Sequence, residues 1–168
     1  MTKNHKLTGI FLSDRMDWGT PKYVFDNLNK EFKFDLDAAA SKWNAKCTRY
    51  IASDQDSLTS DWSALSESSV WLNPPYGRDI SKWIKKALDE SLKGLTVVCL
   101  IFARTDTKWW HKYVSKAHEV RLIKGRINFI DPQTQQKGKT GAVAPSAIVI
   151  FKKSNRTKPI YKHVEFKK

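Results

Sequence analysis

The chain has 168 residues, enough to bury the core of one domain, and its 40% hydrophobic and 12% aromatic content excludes an intrinsically disordered polypeptide. No apolar run reaches membrane-spanning length, and the opening residues MTKNHKLTGIF lack a signal peptide's apolar stretch. The net charge of +13 is unevenly placed: residues 1–103 carry 14 Lys+Arg against 13 Asp+Glu, whereas residues 104–168 carry 16 against 4. So one-sided a field suits a polyanionic partner and makes nucleic acid the expected class. Cys47 and Cys99 form no metal-ligand or CxxC spacing, and the four histidines fall in no metal or triad arrangement. A cytoplasmic protein with reduced thiols and no metal is therefore expected.

Along the chain, residues 1–16 are polar and are expected to be flexible. Thr20-Pro21 opens a helix, with the hydroxyl as cap and the proline in the first turn, and Val24, Phe25, Leu28 and Phe32 follow at helical spacing. Residues 32–37 alternate as a strand ending in carboxylates, and Ala38-Ala39-Ala40-Ser41 can start a short helix. Residues 70–72 form a short buried strand stopped by Asn73-Pro74-Pro75. Ser81 caps a helix with Trp83, Ile84, Ala87, Leu88 and Leu92 on its apolar face, ended by Gly94.

Residues 95–102 are almost continuously apolar, as in a parallel strand covered on both faces. Asp106 begins another amphipathic helix carrying Trp109, Trp110, Tyr113 and Val114. Residues 119–123, 126–130 and 147–151 read as later strands, with an exposed Gln-, Gly- and Lys-rich loop over 131–145. Strands alternating with helices predict one α/β domain, residues 17–151, with a mostly parallel sheet and a basic tail over 152–168. Ligands in such sheets bind at the carboxyl ends of the strands.

The residues carrying the most chemistry are Asn73-Pro74-Pro75-Tyr76, placed directly after a strand. An aromatic amino nitrogen such as adenine N6 is a poor nucleophile, because its lone pair is delocalised into the ring. Two acceptors aimed at its hydrogens return electron density to the nitrogen. The Asn73 side-chain oxygen and the Pro74 carbonyl can be that pair, since Pro74 and Pro75 fix the chain and bring no competing donor. Tyr76 offers a flat face for an extruded base. The alternative is a rigid Pro-Pro turn with a surface tyrosine.

With these residues goes a series of ordered signatures: Trp18-Gly19-Thr20-Pro21, residues 34–39 (FDLDAA), Asp54-Gln55-Asp56-Ser57-Leu58, Trp62 and Gly125-Arg126. Together they resemble the small phage-type DNA N-6-adenine methyltransferases of the Dam family, over roughly residues 17–151. The resemblance implies a single Rossmann-like methyltransferase domain of about seven strands with an antiparallel final pair. It implies S-adenosylmethionine as cofactor, and duplex DNA with a flipped adenine as substrate. It also implies cofactor contacts from Trp18, Thr20 and Pro21 at the methionine end, from Asp37, Ala38 and Ala39 after the first strand, from Asp56, Ser57 and Leu58 around the cofactor's adenine, and from Asn73.

Carboxylates suit a cofactor bearing a sulfonium and an ammonium. The alternatives are a helix cap for Asp37 and a turn or cap residue for Asp56, with Asp35 and Asp54 as weaker neighbouring candidates. The sequence departs from the class in having no Gly-rich loop after the first strand, in Ser57 where many relatives have Gly, and in lacking a block large enough for a target-recognition domain. Arg104 and Lys108, interleaved with Trp109 and Trp110, are candidates for DNA phosphates, as are Arg126, Lys137, Lys139, Lys152 and Lys153, with Arg156 and Lys158 behind them. The helix bearing the tryptophans can equally be packing its rings in the core. The rival functions are amino-methylation of RNA adenine, cytosine N4 or a glutamine amide, and an inactive nucleic-acid-binding protein on the same scaffold. Oligomeric state is left open.

Overall fold

The computed structural model describes residues 18–138 and 141–167. The amino-terminal stretch 1–16 and Lys139 lie outside the described residues. Seven strands form one sheet: β1 (Leu36–Ala40), β2 (Tyr50–Ala52), β3 (Ser69–Leu72), β4 (Thr96–Phe102), β5 (Glu119–Ile123), β6 (Ser146–Phe151) and β7 (Ile160–Val164). Their order is β2-β1-β3-β4-β6-β5-β7. All run parallel except β6, which is antiparallel to both β4 and β5. This is the mostly parallel Rossmann-like α/β arrangement expected, with its antiparallel strand near the carboxyl terminus.

Three helices cover the sheet: α1 (Lys22–Phe32) on one face, α2 (Ile80–Leu92) and α3 (Lys108–Tyr113) on the other. The alternation of β4 shows why both faces must be covered. Val97, Cys99 and Ile101 pack with Ile84, Ala87 and Trp110. Val98 and Leu100 pack with Val24, Phe25, Leu28 and Trp71. A strand buried on both sides needs the near-continuous apolar run that the sequence has there.

Several elements differ from expectation. β1 begins later than residue 32 and runs on through the three alanines, so no helix starts at Ala38. Ala38 and Ala40 are buried between two neighbouring strands, and that environment outweighs alanine's helix preference. Asp37 is consequently the second residue of β1 rather than its end. Helix α1 is capped by Pro21 with no side-chain cap bond, so Thr20 does not cap it. Helix α2 starts at Ile80 behind Asp79, which puts Ser81 inside its first turn. Among the described residues, 126–130 form no ladder, although Ile127 and Phe129 are buried; the pairing there is the isolated bridge of Ile130 with Gly19 and Lys137, with backbone hydrogen bonds from Gly138 to Phe129 and from Ala142 to Ile127. Residues 152–168 are not simply a tail, because Ile160–Val164 pairs with β5 along its whole length.

The end of α2 anchors a loop that matters below. Glu90 is 1% exposed, and its carboxylate takes hydrogen bonds from Lys86 at 2.5 Å, Lys93 at 3.0 Å and the Ser63 backbone N–H at 3.2 Å. The Lys86 ammonium also lies 5.5 Å from the ring centroid of Trp62, a fully buried side chain. Removing one partner of a buried ion pair strands the other charge, at a cost of roughly 3 kcal/mol. Glu90→Ala is therefore expected to lower the urea midpoint of unfolding by that equivalent without changing the denaturant slope. A midpoint within about 0.5 kcal/mol of wild type would contradict this role.

Candidate active site

Because β1 to β4 are parallel, their carboxyl ends share one rim. The order of the sheet reverses between β1 and β3: the chain continues from β1 to β2 on one side and from β3 to β4 on the other. A crevice opens at such a switch point, and ligands of open α/β sheets bind there. Asn73 leaves β3 at this crevice, while Ala40 and Ser41 leave β1.

Asn73 is held from two sides. Its Nδ2 donates to the Trp18 carbonyl at 2.6 Å, across 55 residues of chain. Its Oδ1 accepts from the Tyr76 hydroxyl at 3.0 Å, and the same hydroxyl lies 3.1 Å from the Leu100 carbonyl. With the amide nitrogen committed to Trp18, the acceptor end of the side chain is fixed, with a second lone pair to spare. The Pro74 carbonyl accepts no hydrogen bond among the described residues. The loop thus presents two adjacent acceptors on a backbone that two prolines hold still.

The Tyr76 ring stacks on Phe102 at 4.3 Å between centroids, with Phe129 edge-on at 5.8 Å. Burial pushes its phenol well above the ordinary value, so it stays a neutral donor. The ring is half-buried, with Phe102 stacked on it.

The Trp18-Gly19-Thr20-Pro21 segment is fitted against the crevice by close backbone approach. Gly19 exchanges backbone hydrogen bonds with Ile130 at 2.9 and 2.8 Å. A Cβ at Gly19 would meet Trp43 Cη2 at 2.9 Å and Ile130 Cβ at 3.2 Å, which explains the glycine. Thr20 is 2% exposed, yet its hydroxyl has no hydrogen-bond partner, and the buried hydroxyls of Ser41 and Ser146 are likewise unpartnered. All three stand at the rim: Ser41 follows β1, and Ser146 opens β6 opposite Phe102, the last residue of β4. Two further unpartnered buried atoms, Ser69 Oγ and His118 Nδ1, lie at the amino ends of β3 and β5, so such groups occur at both ends of the sheet.

Asp37 is also buried, at 2% exposure, and accepts from the backbone N–H groups of Lys46 at 3.0 Å and Ala39 at 3.3 Å. Burial pushes its carboxyl up to about 6, against the pull of those two donors. It therefore braces the loop after β1. Asp35 lies at the opposite end of the strand, bound by the Ser66 hydroxyl and the Glu67 and Ser68 N–H groups, far from the crevice.

Asp56 follows the end of β2, in the left-handed region at φ 42° and exposed, and its carboxylate meets no donor among the described residues. It is reached from β2, two places from β3 in the sheet, through the 3-10 turn Ser53–Gln55. Its neighbour Ser57 is buried and donates to the Ala38 carbonyl at 2.5 Å, while Trp62 Nε1 donates to the Ser57 carbonyl at 2.9 Å. Leu58 is half-buried. Asp54 is exposed in the 3-10 turn Ser53–Gln55.

The basic candidates separate into two groups. Arg104 follows β4, Lys108 is exposed at the start of α3, Arg126 follows β5, and Lys137 is exposed in the segment bridged to Ile130; all belong to the crevice side. Trp109 and Trp110 pack into the core cluster, so they are structural. Lys152 and Lys153 do not join the crevice. They follow Phe151, which pairs with Val97 at the amino end of β4, because β6 runs the other way. Arg78, exposed two residues beyond Tyr76, went unnoticed in the sequence, although its closeness to that motif was the available signal.

A family model for DNA N-6-adenine-methyltransferase (Dam) matches residues 9–166. The DNA N-6-adenine-methyltransferase of Haemophilus phage HP1 (strain HP1c1) is 34% identical over 143 residues, covering 83% of this chain and 80% of that protein. The protein of the same description from Escherichia phage T1 is 34% identical over 112 residues, covering 66% of this chain and 45% of that one. With its strand-end Asn-Pro-Pro-Tyr loop and a match over nearly its whole length, the chain belongs to the DNA N-6-adenine-methyltransferase (Dam) family of adenine-specific DNA methyltransferases.

Proposed function

We propose that the chain methylates the N6 amino group of an adenine flipped out of duplex DNA, with S-adenosylmethionine as methyl donor, in the cytoplasm of a bacterial host. The observation that carries this reading is the locked Asn73 amide, whose oxygen stands beside the unpaired Pro74 carbonyl at the switch point of the sheet.

The crevice fits the cofactor on its own chemistry. The Trp18-Gly19-Thr20-Pro21 segment, tied to Asn73 through the Trp18 carbonyl, takes the methionine end of the cofactor. The Ala38-Ala39-Ala40 run lets backbone approach closely without a glycine loop, and the free Asp56 carboxylate suits an adenine amino donor. When bound, S-adenosylmethionine supplies an electrophilic methyl group on a sulfonium. Asn73 Oδ1 and the Pro74 carbonyl accept the two hydrogens of the target amino group and aim its nitrogen. Their partial negative charge stabilises the positive charge that grows on that nitrogen, in a site whose dipoles are already oriented. The methylated nitrogen is acidic and releases its proton without a strong base. Tyr76 braces Asn73 through its hydroxyl and offers its ring to the extruded base, backed by Phe102. Arg78, Lys108, Arg126 and Lys137 hold phosphates around the crevice, with Arg104 beside them.

Asn73→Ala is expected to lower the single-turnover methylation rate by about 100-fold or more, with cofactor affinity changed only a few-fold, since one preorganised transition-state hydrogen bond contributes roughly 3 kcal/mol. A rate near wild type would remove Asn73 from the chemistry. Asp56→Ala should weaken cofactor binding about 10-fold, measured calorimetrically, and leave DNA affinity without cofactor unchanged; unaltered cofactor affinity would shift the role to Asp54. Tyr76→Phe keeps the ring, loses the brace, and should cost roughly 10-fold in rate, whereas Tyr76→Ala should cost far more. Equal losses in the two variants would show that the hydroxyl, not the stacking face, is what Tyr76 contributes.

A further inference from the structure

Of the seven strands, β6 alone carries the chain away from the crevice. It enters at Ser146, level with Phe102, and leaves at Phe151, level with Val97. Five residue steps along a strand span about 17 Å. The residues that follow, Lys152, Lys153, Arg156 and Lys158, are all exposed, and none forms an ion pair among the described residues. The next chain to arrive at this end is the start of β5, preceded by the exposed Lys116 and by His118. Two acids lie near by and both are already paired: Glu119, which is buried, with Arg121 and Lys162, and Glu31 with the same Arg121.

The cations converge here. The His118 imidazole is held below its ordinary value by burial first and then by the charges of Lys152 and Arg156, which places both within electrostatic reach of one ring. So many like charges left unpaired on one surface cost self-repulsion, and a polyanion with regularly spaced charges relieves it. A duplex seated over Asn73 lies across the opposite end of the sheet, so it does not cover this surface.

We propose that the amino-end surface around Lys152, Lys153, Arg156 and Lys158 is a second DNA-backbone site, so that one molecule holds two duplex segments, one at the crevice and one at the far end of the sheet. This rests on DNA being the substrate but not on which base is methylated. Its contacts are non-specific and salt-sensitive. On long DNA such a site keeps the enzyme attached to a neighbouring segment while the crevice releases product.

The test uses the full chain and a synthetic duplex just long enough for one site. At saturation and low salt, sedimentation should give two duplexes per chain. Enzyme loaded on an immobilised duplex should also capture a second, labelled one. The variant Lys152→Gln, Lys153→Gln, Arg156→Gln, Lys158→Gln should bind one duplex per chain and lose capture, while single-turnover methylation of the short duplex stays within about twofold. The single variants Lys152→Gln and Lys153→Gln, which keep the second binding event, should each lower its slope of log affinity against log salt by about 0.9. One duplex per chain for the wild type overturns the proposal and leaves the surface to another polyanion or to solvent. Loss of short-duplex affinity in the variant also overturns it, by assigning these cations to the crevice footprint. Methylation of the short duplex by the wild type, read in the same assay, tests the proposed chemistry separately.

Discussion

A single hydrogen bond, from the Asn73 side-chain amide to the Trp18 carbonyl at 2.6 Å, organises the crevice. It decides which end of the amide faces the ligand, because an amide whose nitrogen is spent on a carbonyl has only its oxygen left to offer. It also ties the segment before α1 to the end of β3. That segment is fixed a second time by the Gly19–Ile130 bridge, so the chain just after β5 is drawn to the same place. Three parts of the sequence that share no secondary structure thereby become one wall. The Thr20 hydroxyl is buried within that wall without a hydrogen-bond partner.

The opposite wall depends on a relay of buried polar contacts. Glu90 on α2 holds the turn at Ser63 and the Lys86 ammonium over Trp62. Trp62 in turn holds Ser57 by its indole N–H, and Ser57 reaches the Ala38 carbonyl on β1. Asp56, next in the chain, is thus an exposed carboxylate on a rigid support, although nothing touches its side chain. The Ser57 hydroxyl fastens the turn to the strand.

The sequence was legible where one environment determines the residue. The continuous apolar run of β4, the amphipathic face of α2 and the Asn-Pro-Pro-Tyr stop after β3 are local patterns with one physical reading, and the structure places each within a residue or two of expectation. It was less legible where neighbours decide. Three alanines read as a helix start, but they lie in β1 between β2 and β3, with Ala38 and Ala40 buried. Residues 126–130 alternate like a strand because Ile127 and Phe129 are buried, yet among the described residues their backbone pairing is confined to single bonds with Gly19, Gly138 and Ala142. Ile160–Val164 is short and mostly exposed, with burial only at its two ends, so nothing in its pattern announces a strand. The Asp37 carboxylate looked like a strand-end ligand, whereas the longer run of β1 sets it back among backbone donors.

The charge division of the sequence shows the same limit from another side. The excess of cations after residue 103 reads as one basic region, but sequence position says nothing about which end of a sheet a residue occupies. In a purely parallel sheet every strand-following loop would face the crevice, and Lys152 and Lys153 would stand with Arg104 and Arg126. One reversed strand sends them to the other end instead. The same reversal brings Ser146 to the rim, and the bridge of Lys137 to Ile130 sets that lysine beside the Trp18 wall. A single choice of strand direction therefore sets both the composition of the crevice and the placement of positive charge opposite it, and no count of lysines along the chain could have separated the two.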